Sequence, residues 1–512
     1  MTSIELLSMP KSQRILYKIG AFFKNIGLGI WNFFKRIPKY CKKFWKLIKK
    51  PFTVLFDAFA YGDWKTRLSF LILGFGQLFR KEVAKGILLI LFETAFIAFM
   101  VTTGVPHLSK LATLGSVAYI DIGGVSFNPN YDNSFIILLI SIISIIFIGI
   151  FAGVWYSQIK HNKLLQDMER VGRYSSNLQF IKDLSQRDYH KTLLAFPITG
   201  VVIFTIIPII FMVLVAFTNY DNNHMAPSRL FDWVGFNNFS SIFGKVETGS
   251  NIVFKAFGEV LLWTLLWAFF ATFSNYFLGM IVAILINTKG IKLKKLWRTV
   301  LVTTIAVPQF ISLLLLNRMF QDNGIINELL IKNLHWISEP IHWLTDYKFN
   351  ALLPKVMIIL INTWVGIPYT MLICTGLLMN IPEDLYESAK IDGASPVRMY
   401  MKITLPYMLF VTAPYLISQF VGNINNFNVI YLLSGGQPIY VSESGVTTPP
   451  IMQNLGRTDL LITWLYKLSV ESVDKRYGEA GVISILIFAL VATLSLIFYS
   501  RTNSVKNEED FQ

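Results

Sequence analysis

The sequence predicts an all-α integral membrane protein with eight transmembrane helices. Of its 512 residues, 54% are hydrophobic and 15% are charged, and the mean hydropathy of +0.51 is too high for a soluble protein. The apolar residues occur in runs of about 20 or more, the length that a helix needs to cross a hydrocarbon core of about 30 Å. The predicted spans are 86–104, 134–156, 193–217, 260–286, 299–320, 356–379, 406–430 and 480–499.

The spans divide the chain into four regions. These are a basic N-terminal segment at 1–66, two spans with a cytoplasmic linker at 67–190, a core of six spans at 191–500, and a tail at 501–512. A ninth apolar stretch, 68–79, has only about 12 residues, which is too short to cross a bilayer as a helix. We therefore predict that it is interfacial or re-entrant.

The N-terminal segment is basic and aromatic. Residues 11–50 hold twelve Lys and Arg, nine aromatic residues and no acid, and they account for much of the net charge of +15. This composition predicts a basic amphipathic segment on an anionic inner leaflet, with its aromatic rings at headgroup depth. RNA is the alternative partner, because bases stack on aromatic rings, but it would compete with a membrane a few residues away. The sequence therefore favours lipid and predicts no nucleic-acid partner.

The distribution of basic residues predicts the orientation. The loops 157–191, 288–298 and 380–405 carry 15 Lys and Arg in about 72 residues, whereas the four loops on the other side carry 10 in about 148. Because loops rich in Lys and Arg stay in the cytoplasm, both termini are predicted to be cytoplasmic.

A polar hairpin at 382–406 separates two of the predicted spans. Pro382 and the two acids after it suit the first turn of a helix, Gly393 permits a break, and Ser395 with Pro396 caps and restarts a second helix. We therefore predict two short helices at an angle. An ordinary hairpin between spans would share these caps.

The order Glu-x-Ala-x-x-x-Gly-x9-Ile-x-Leu-Pro in this polar hairpin is more specific than its caps. It resembles the EAA loop of ATP-binding-cassette (ABC) importer permeases, with Ser388 in place of the usual first alanine. The resemblance implies that the hairpin docks on a cytoplasmic ATPase. The residues to which it assigns ATPase coupling are Glu387, Ser388, Ala389, Asp392, Gly393, Ile403, Leu405 and Pro406.

The sequence lacks the residues that several classes of protein need for their function. The sequence has no G-x-x-x-x-G-K-[ST] loop for ATP phosphates, and its histidines show no metal-ligand spacing, so no catalytic residue, metal or cofactor is predicted. Glu93 is the one carboxylate clearly inside a predicted span; it is either functional, or a lone carboxylate that faces another helix or is kept neutral. An ion-coupled secondary carrier normally needs more ionisable groups at that depth. Cys41 lies in the basic segment and Cys374 lies within the sixth predicted span, so no disulfide between them is predicted.

Two predicted spans carry neutral polar and aromatic residues. The run 362–369 reads Asn-Thr-Trp-Val-Gly-Ile-Pro-Tyr, and the run 418–428 contains a glutamine and four asparagines. Because unpaired amides are costly in lipid, these faces are predicted to line the bundle interior or a wet cavity. Amides beside aromatic rings suit a sugar, whereas interhelical hydrogen bonds worth about 0.6 kcal/mol each would explain them equally well.

These two runs, which flank the polar hairpin, resemble the corresponding spans of MalF-type permeases of maltose and maltodextrin importers. The run at 233–239 and the run Ser-Gly-Gly-Gln-Pro at 434–438 agree, and the similarity covers about 190–500. The resemblance implies the type I importer permease fold and a sugar site in the membrane. The implied substrate-binding residues are Asn362, Val365, Gly366, Tyr369, Gln419, Gly422, Asn423 and Asn426.

Two of these positions differ from the maltose type. Gly422 stands where a ring-stacking phenylalanine is expected, and Gln419 stands where a serine is expected. The differences imply a roomier site for longer oligosaccharides or a site shifted along the channel.

The resemblance also implies partners. These are a second, related permease, two cytoplasmic ATPase subunits and an external sugar-binding protein. The loop 218–257 has only about 40 residues, where Gram-negative members carry a folded insertion, so a Gram-positive plasma membrane is expected. The alternatives are a permease for another neutral sugar or for glycerol phosphate, an ion-coupled carrier, and a membrane anchor or receptor that transports nothing.

Overall fold

The computed structural model describes residues 49–119, 128–178, 182, 185–244, 252–288, 290–440 and 448–501. Most of the basic segment 11–50, with Cys41, and the tail 502–512 therefore lie outside the described residues. The chain forms two compact units, one of Met1–Ser109 with Leu139–Thr205 and one of Lys110–Leu138 with Ile206–Gln512. The functional boundary predicted at residue 191 stays a prediction.

Long apolar helices occupy the predicted spans. Seven are long and apolar enough to cross a membrane: Val83–Ser109, Ser134–Arg170, Tyr189–Val215, Ile252–Asn287, Lys348–Leu378, Pro396–Ile424 and Tyr477–Ser500. A bent pair, Lys294–Ala306 with Gln309–Met319, brings the number of spans among the described residues to eight. The predicted all-α membrane fold is confirmed, and we number the spans one to eight in chain order.

Shorter helices lie before the first span and between the spans. They are a helix at 49–60, Trp64–Leu68, Phe75–Leu78, Asn237–Phe243, Ile325–Glu328 with the π-helical Leu329–Asn333, Glu383–Ile391, Phe427–Leu433, Pro450–Met452 (3-10) and Leu461–Tyr466 with the π-helical Lys467–Glu471. The described residues contain no strand, only two isolated bridges, Thr218–Trp233 and Ile439–Gly456.

The fifth span is broken, which corrects the prediction of one helix over 299–320. Its two halves meet at 90°. Pro308 has no N–H to continue a helix and its ring disfavours the helical conformation at the residue before it. Accordingly, Val307 is extended, with φ −78° and ψ 121°.

The seventh span also differs from its prediction of 406–430. The second helix of the polar hairpin is not a separate short element but the start of this span, which runs from Pro396 to Ile424. The chain then breaks at Asn425, and Asn426 caps the next helix by accepting a hydrogen bond from the Val429 N–H. Asparagine competes for backbone hydrogen bonds and favours caps over helix interiors, which explains the early end.

A π-helical segment, Tyr400–Thr404, lies inside the seventh span. Its last bond runs from the Leu405 N–H to the Tyr400 carbonyl, five residues back. Pro406 follows, and its missing N–H cannot supply the α-helical bond to the carbonyl of Lys402. The wider turn therefore occurs where a regular α-helix would lose a hydrogen bond.

In the first unit, buried polar groups hold the short helices after residue 60. The Arg80 guanidinium, which is almost fully buried, donates to both carboxylate oxygens of Asp63 at 2.5 and 2.6 Å and to Glu169 at 3.2 Å. Glu93 accepts the Leu73 N–H at 2.9 Å, so it is paired with backbone. The 68–79 stretch contains no spanning helix, and its interfacial or re-entrant nature stays a prediction.

In the second unit, the fourth span is central. Trp267 and Tyr276, both almost fully buried, belong to different apolar clusters, and a third cluster includes Val260. One helix therefore contributes to all three clusters, and the sixth and seventh spans pack on it. This arrangement fixes the cavity walls described below.

The segment 427–476 between the last two spans is held by a buried ion pair. Lys467 donates to Asp459 at 2.8 Å and to the Gly435 carbonyl at 2.8 Å, and Asp459 also accepts the Gly456 N–H at 2.6 Å. A Cβ on Gly436 would lie only 2.2 Å from Asp459 Oδ1, so this position requires glycine. The compact turn explains the Gly-Gly pair in the 434–438 run.

Candidate substrate cavity and coupling hairpin

A cavity of about 390 Å³ lies between the fourth, fifth, sixth and seventh spans. We call it the central cavity. Among the described residues that line it, none is charged. The walls carry six side-chain amides, three tyrosines and several hydroxyl groups, which can donate and accept hydrogen bonds without imposing a charge on a ligand.

The structure brings seven of the eight predicted substrate-binding residues to this cavity. They are Asn362, Val365, Gly366, Tyr369, Gln419, Asn423 and Asn426. The four from the sixth span follow a helical spacing of three or four residues, which places them on one face. Gly422 is not among the residues that line the cavity; it is exposed, and a Cβ there would meet nothing within 4 Å.

Hydrogen bonds fix the amides at the end of the seventh span. Asn423 Nδ2 donates to Thr272 Oγ1 at 3.0 Å, and Asn426 Nδ2 donates to Asn423 Oδ1 at 3.1 Å. The Trp267 indole donates to the Asn423 carbonyl at 3.1 Å. The fourth span therefore orients the amides that the seventh span contributes.

On the sixth-span wall, one buried polar atom lacks a hydrogen-bond partner among the described residues. Asn362 is 5% exposed, and its Nδ2 has no hydrogen-bond partner among the described residues. On the fourth span, Asn275 Oδ1 is also buried without a partner among the described residues. Buried polar atoms of this kind are uncommon in native proteins.

In the polar hairpin, the first helix ends at the break that Gly393 is predicted to permit. Gly393 follows the helix Glu383–Ile391 with φ +71° and donates its N–H to the Lys390 carbonyl, while the Ala394 N–H bonds to the Ala389 carbonyl at 2.9 Å. These two bonds form a Schellman motif, in which the left-handed residue is usually glycine. Ser395 then caps the seventh span.

Apolar side chains of the polar hairpin face solvent. Ile391 is 87% exposed and Val397 is 72% exposed, although both lie beside charged residues. Glu387 lines a groove of about 460 Å³ between the hairpin and the end of the fourth span. Ser388 and Asp392 are exposed and Ala389 is half-buried on the hairpin helix, whereas Ile403, Leu405 and Pro406 belong to the start of the seventh span.

Comparisons with known proteins identify the family. A model described as the inner membrane component of binding-protein-dependent transport systems matches residues 275–503. The maltodextrin transport permease MalC of Streptococcus pneumoniae is 32% identical over 455 residues, covering 87% of this chain and 97% of MalC. MdxF, the maltodextrin transport permease of Bacillus subtilis, is 34% identical over 454 residues, with the same coverage. The chain belongs to this permease family.

A third relative is named for another class of sugar. GanP, the galactooligosaccharide transport permease of Bacillus subtilis, is 32% identical over 446 residues, covering 86% of this chain and 97% of GanP. The protein is a membrane permease subunit of a binding-protein-dependent ABC transport system, and not itself an enzyme. The predicted resemblance to MalF-type permeases is confirmed, while the roles of individual site residues stay predictions.

The sequence motifs missed part of the cavity wall of this permease. The fourth and fifth spans add Thr272, Asn275, Tyr276, Thr304, Gln309 and Ser312. Two signals were available: Asn275 interrupts the apolar run of the fourth span, and the Pro308-Gln309 pair interrupts that of the fifth. Polar residues inside a span mark a functional face or a helix contact.

Proposed function

We propose that this permease provides the membrane path through which an ATP-driven importer moves neutral oligosaccharides of the maltodextrin type. The observation that carries the proposal is the uncharged central cavity, whose described walls combine amides, hydroxyl groups and tyrosine rings. Sugar hydroxyl groups both donate and accept hydrogen bonds, and aromatic rings pack on the apolar faces of sugars. An anion such as glycerol phosphate would instead call for an Arg or Lys at the site.

The relatives support the substrate class. MalC and MdxF are named for maltodextrin and GanP for galactooligosaccharides, at nearly equal identity to this chain. What these sugars share is a neutral chain of hydroxylated rings. We therefore propose maltodextrins as the substrate, with galactooligosaccharides as the second candidate because of GanP.

We propose that the polar hairpin docks on the ATPase. Its exposed Ile391 and Val397 are suited to burial against another protein, and Glu387 can form a charge-assisted hydrogen bond at the rim. The complete transporter would then contain a second permease, two ATPase subunits and an external sugar-binding protein. Movement of the hairpin would switch the cavity between the two sides of the membrane by rigid-body motion.

The distribution of Lys and Arg supports cytoplasmic termini and a cytoplasmic hairpin. The short loop 218–257 supports a Gram-positive plasma membrane. On the first unit, Phe52, Phe56 and Phe59 are exposed on one face of the helix at 49–60, which supports membrane contact by the adjoining basic segment.

The proposal is tested by alanine substitution at Tyr369, Asn423 and Asn426 in the complete transporter. Each loses a hydrogen bond or ring contact worth about 1–3 kcal/mol, so maltodextrin uptake should fall while assembly and membrane level stay normal. Thr303→Ala is a control, because Thr303 is on the fifth span and does not line the cavity. Normal uptake by all three variants would place the sugar path elsewhere.

A further inference from the structure

Asn275 and Asn362 both line the central cavity, and each has one polar atom without a hydrogen-bond partner among the described residues. Asn275 Oδ1 is a hydrogen-bond acceptor and Asn362 Nδ2 is a donor, and both are buried without a partner among the described residues. Most buried polar atoms in folded proteins are paired. A cavity wall that leaves one donor and one acceptor unpaired is prepared for a group that supplies both functions.

Gly366 makes room for the amide of Asn275. A Cβ on Gly366 would lie 2.4 Å from Asn275 Nδ2 and 2.7 Å from its Cγ, far inside van der Waals contact. The amide therefore occupies the space that any other residue at position 366 would fill. This gives the glycine a role that the apolar character of the span does not explain.

Neighbouring hydrogen bonds hold the two helices at this point. Thr370 Oγ1 donates to the Asn275 carbonyl at 2.8 Å, and the hydroxyl groups of Ser274 and Thr363 lie 2.8 Å apart. These bonds lie within one helical turn of Asn275 on the fourth span and of Gly366 on the sixth. The backbone positions are fixed, while the last torsion of an asparagine side chain is broad and lets its amide turn toward the cavity.

We propose that Asn275 is a substrate-binding residue that acts with Asn362 on one hydroxyl group of the sugar. The hydroxyl donates its proton to Asn275 Oδ1 and accepts a hydrogen bond from Asn362 Nδ2. Gly366 leaves the space that the Asn275 amide occupies. This assignment rests on the proposed sugar function and adds the fourth span to the walls that select a hydroxylated, uncharged ligand.

The test is direct binding of maltotriose and its monodeoxy analogues to the purified membrane complex of both permeases and the ATPase subunits, with the external binding protein left out. Asn275→Leu keeps the side-chain size and removes both polar atoms. We expect about tenfold weaker binding of maltotriose, equivalent to about 1.4 kcal/mol. The analogue that lacks the contacted hydroxyl should bind wild type about tenfold more weakly but should lose nothing further in Asn275→Leu, because the pair is already broken.

Leu278→Ala is the matched control. Leu278 lies three residues beyond Asn275 on the same helix, its side chain is exposed, and it does not line the cavity. This variant should bind the whole sugar series like wild type. Gly366→Ala provides a second route to the same result, since its methyl group displaces the Asn275 amide without removing it.

Each outcome bears on the assignment. A selective loss for one hydroxyl in Asn275→Leu or Gly366→Ala supports it. Equal weakening of every analogue would mean that Asn275 only supports the helix packing and would overturn it. If Asn275→Leu and Gly366→Ala both bind sugar like wild type while Tyr369→Ala still loses uptake, the Asn275 assignment is overturned and the proposed sugar path stands. If all three variants behave like wild type, the Asn275 assignment and the proposed sugar path are both overturned.

Discussion

The hydroxyl groups of Tyr386 and Thr404 lie 2.8 Å apart, and this hydrogen bond joins the first helix of the polar hairpin to the start of the seventh span. Tyr386 is on the helix Glu383–Ile391, and Thr404 is the buried last residue of the π-helical segment. The contact lies between the proposed ATPase-docking surface and the helix that carries Asn423. It is therefore placed to transmit hairpin movement to the cavity.

We predict that Tyr386→Phe reduces the sugar transported per ATP hydrolysed. The ring remains but the hydrogen bond, worth about 0.5–1.5 kcal/mol, is lost, so the ATPase should still bind while hairpin movement is transmitted less faithfully. The measurement is the ratio of sugar uptake to ATP hydrolysis in proteoliposomes. Thr404→Ser retains the hydroxyl and should keep the wild-type ratio. An unchanged ratio in Tyr386→Phe would show that this hydrogen bond does not couple ATP hydrolysis to sugar uptake.

We predict that Gly393→Asp inserts normally but loses the ATPase. A residue with a Cβ is strained at φ +71°, and the hairpin geometry that presents Glu387 and Ile391 would change. The measurement is ATPase co-purification at equal membrane level. Gly290→Asp is matched, because Gly290 also has a positive φ and open space around its Cβ but lies outside the hairpin. Equal loss in both variants would point to general strain.

We predict that Gly422→Phe favours short sugars. A Cβ at 422 would meet nothing within 4 Å in this chain, and a phenylalanine ring there would take up open space beside the seventh span. Uptake of maltoheptaose should fall relative to maltose. Gly376→Phe, on the sixth span with equally open surroundings, should leave that ratio unchanged. A similar ratio in wild type and Gly422→Phe would mean that sugars do not pass this position.

We predict that Lys467→Met destabilises the 427–476 segment and that acid restores it. Removing one partner of a buried ion pair costs about 3–5 kcal/mol, because Asp459 would remain buried without its cation. Burial raises the pKa of the Asp459 carboxyl and the Lys467 ammonium opposes that rise. Without Lys467, the folded state holds a proton more tightly than the unfolded state, so stability falls as pH rises from the ordinary carboxyl pKa through the raised value.

The measurement is the melting temperature of the detergent-purified variant from pH 5 to pH 8, beside wild type. Its deficit should shrink toward pH 5. The double variant Asp459→Asn with Lys467→Met removes the buried charge as well as its partner and should be more stable than Lys467→Met at pH 8. A deficit that is constant across this range would indicate that packing, and not charge, is lost.

Hydropathy could predict most of the fold because each span is a long apolar run, but it could not predict how the runs bend. The fifth span has the composition of one helix, and only the proline at 308 signals its break. The seventh span ends six residues early because paired asparagines at 425 and 426 form a cap. Both differences arise from backbone hydrogen bonding, which apolar content does not report.

The cavity could be predicted in part for a similar reason. The motifs in the sixth and seventh spans carry several amides close together, whereas Asn275 is the only amide in the predicted span 260–286. Its unpaired oxygen and its contact with Gly366 depend on two helices that are distant in sequence. Gly422 shows the converse, since a position taken from the family motif is not among the residues that line the cavity.

The π-helical segment Tyr400–Thr404 sets the angular phase between the two ends of the seventh span. Each residue added to a helix turns everything beyond it by about 100°, so the wider turn determines which residues point at the cavity when the hairpin is held in place. Loss of one residue there would leave a helix of nearly the same length with Asn423 rotated out of register. The nine-residue interval between Gly393 and Ile403 thus determines the rotation of the seventh span relative to the hairpin more than the distance between them.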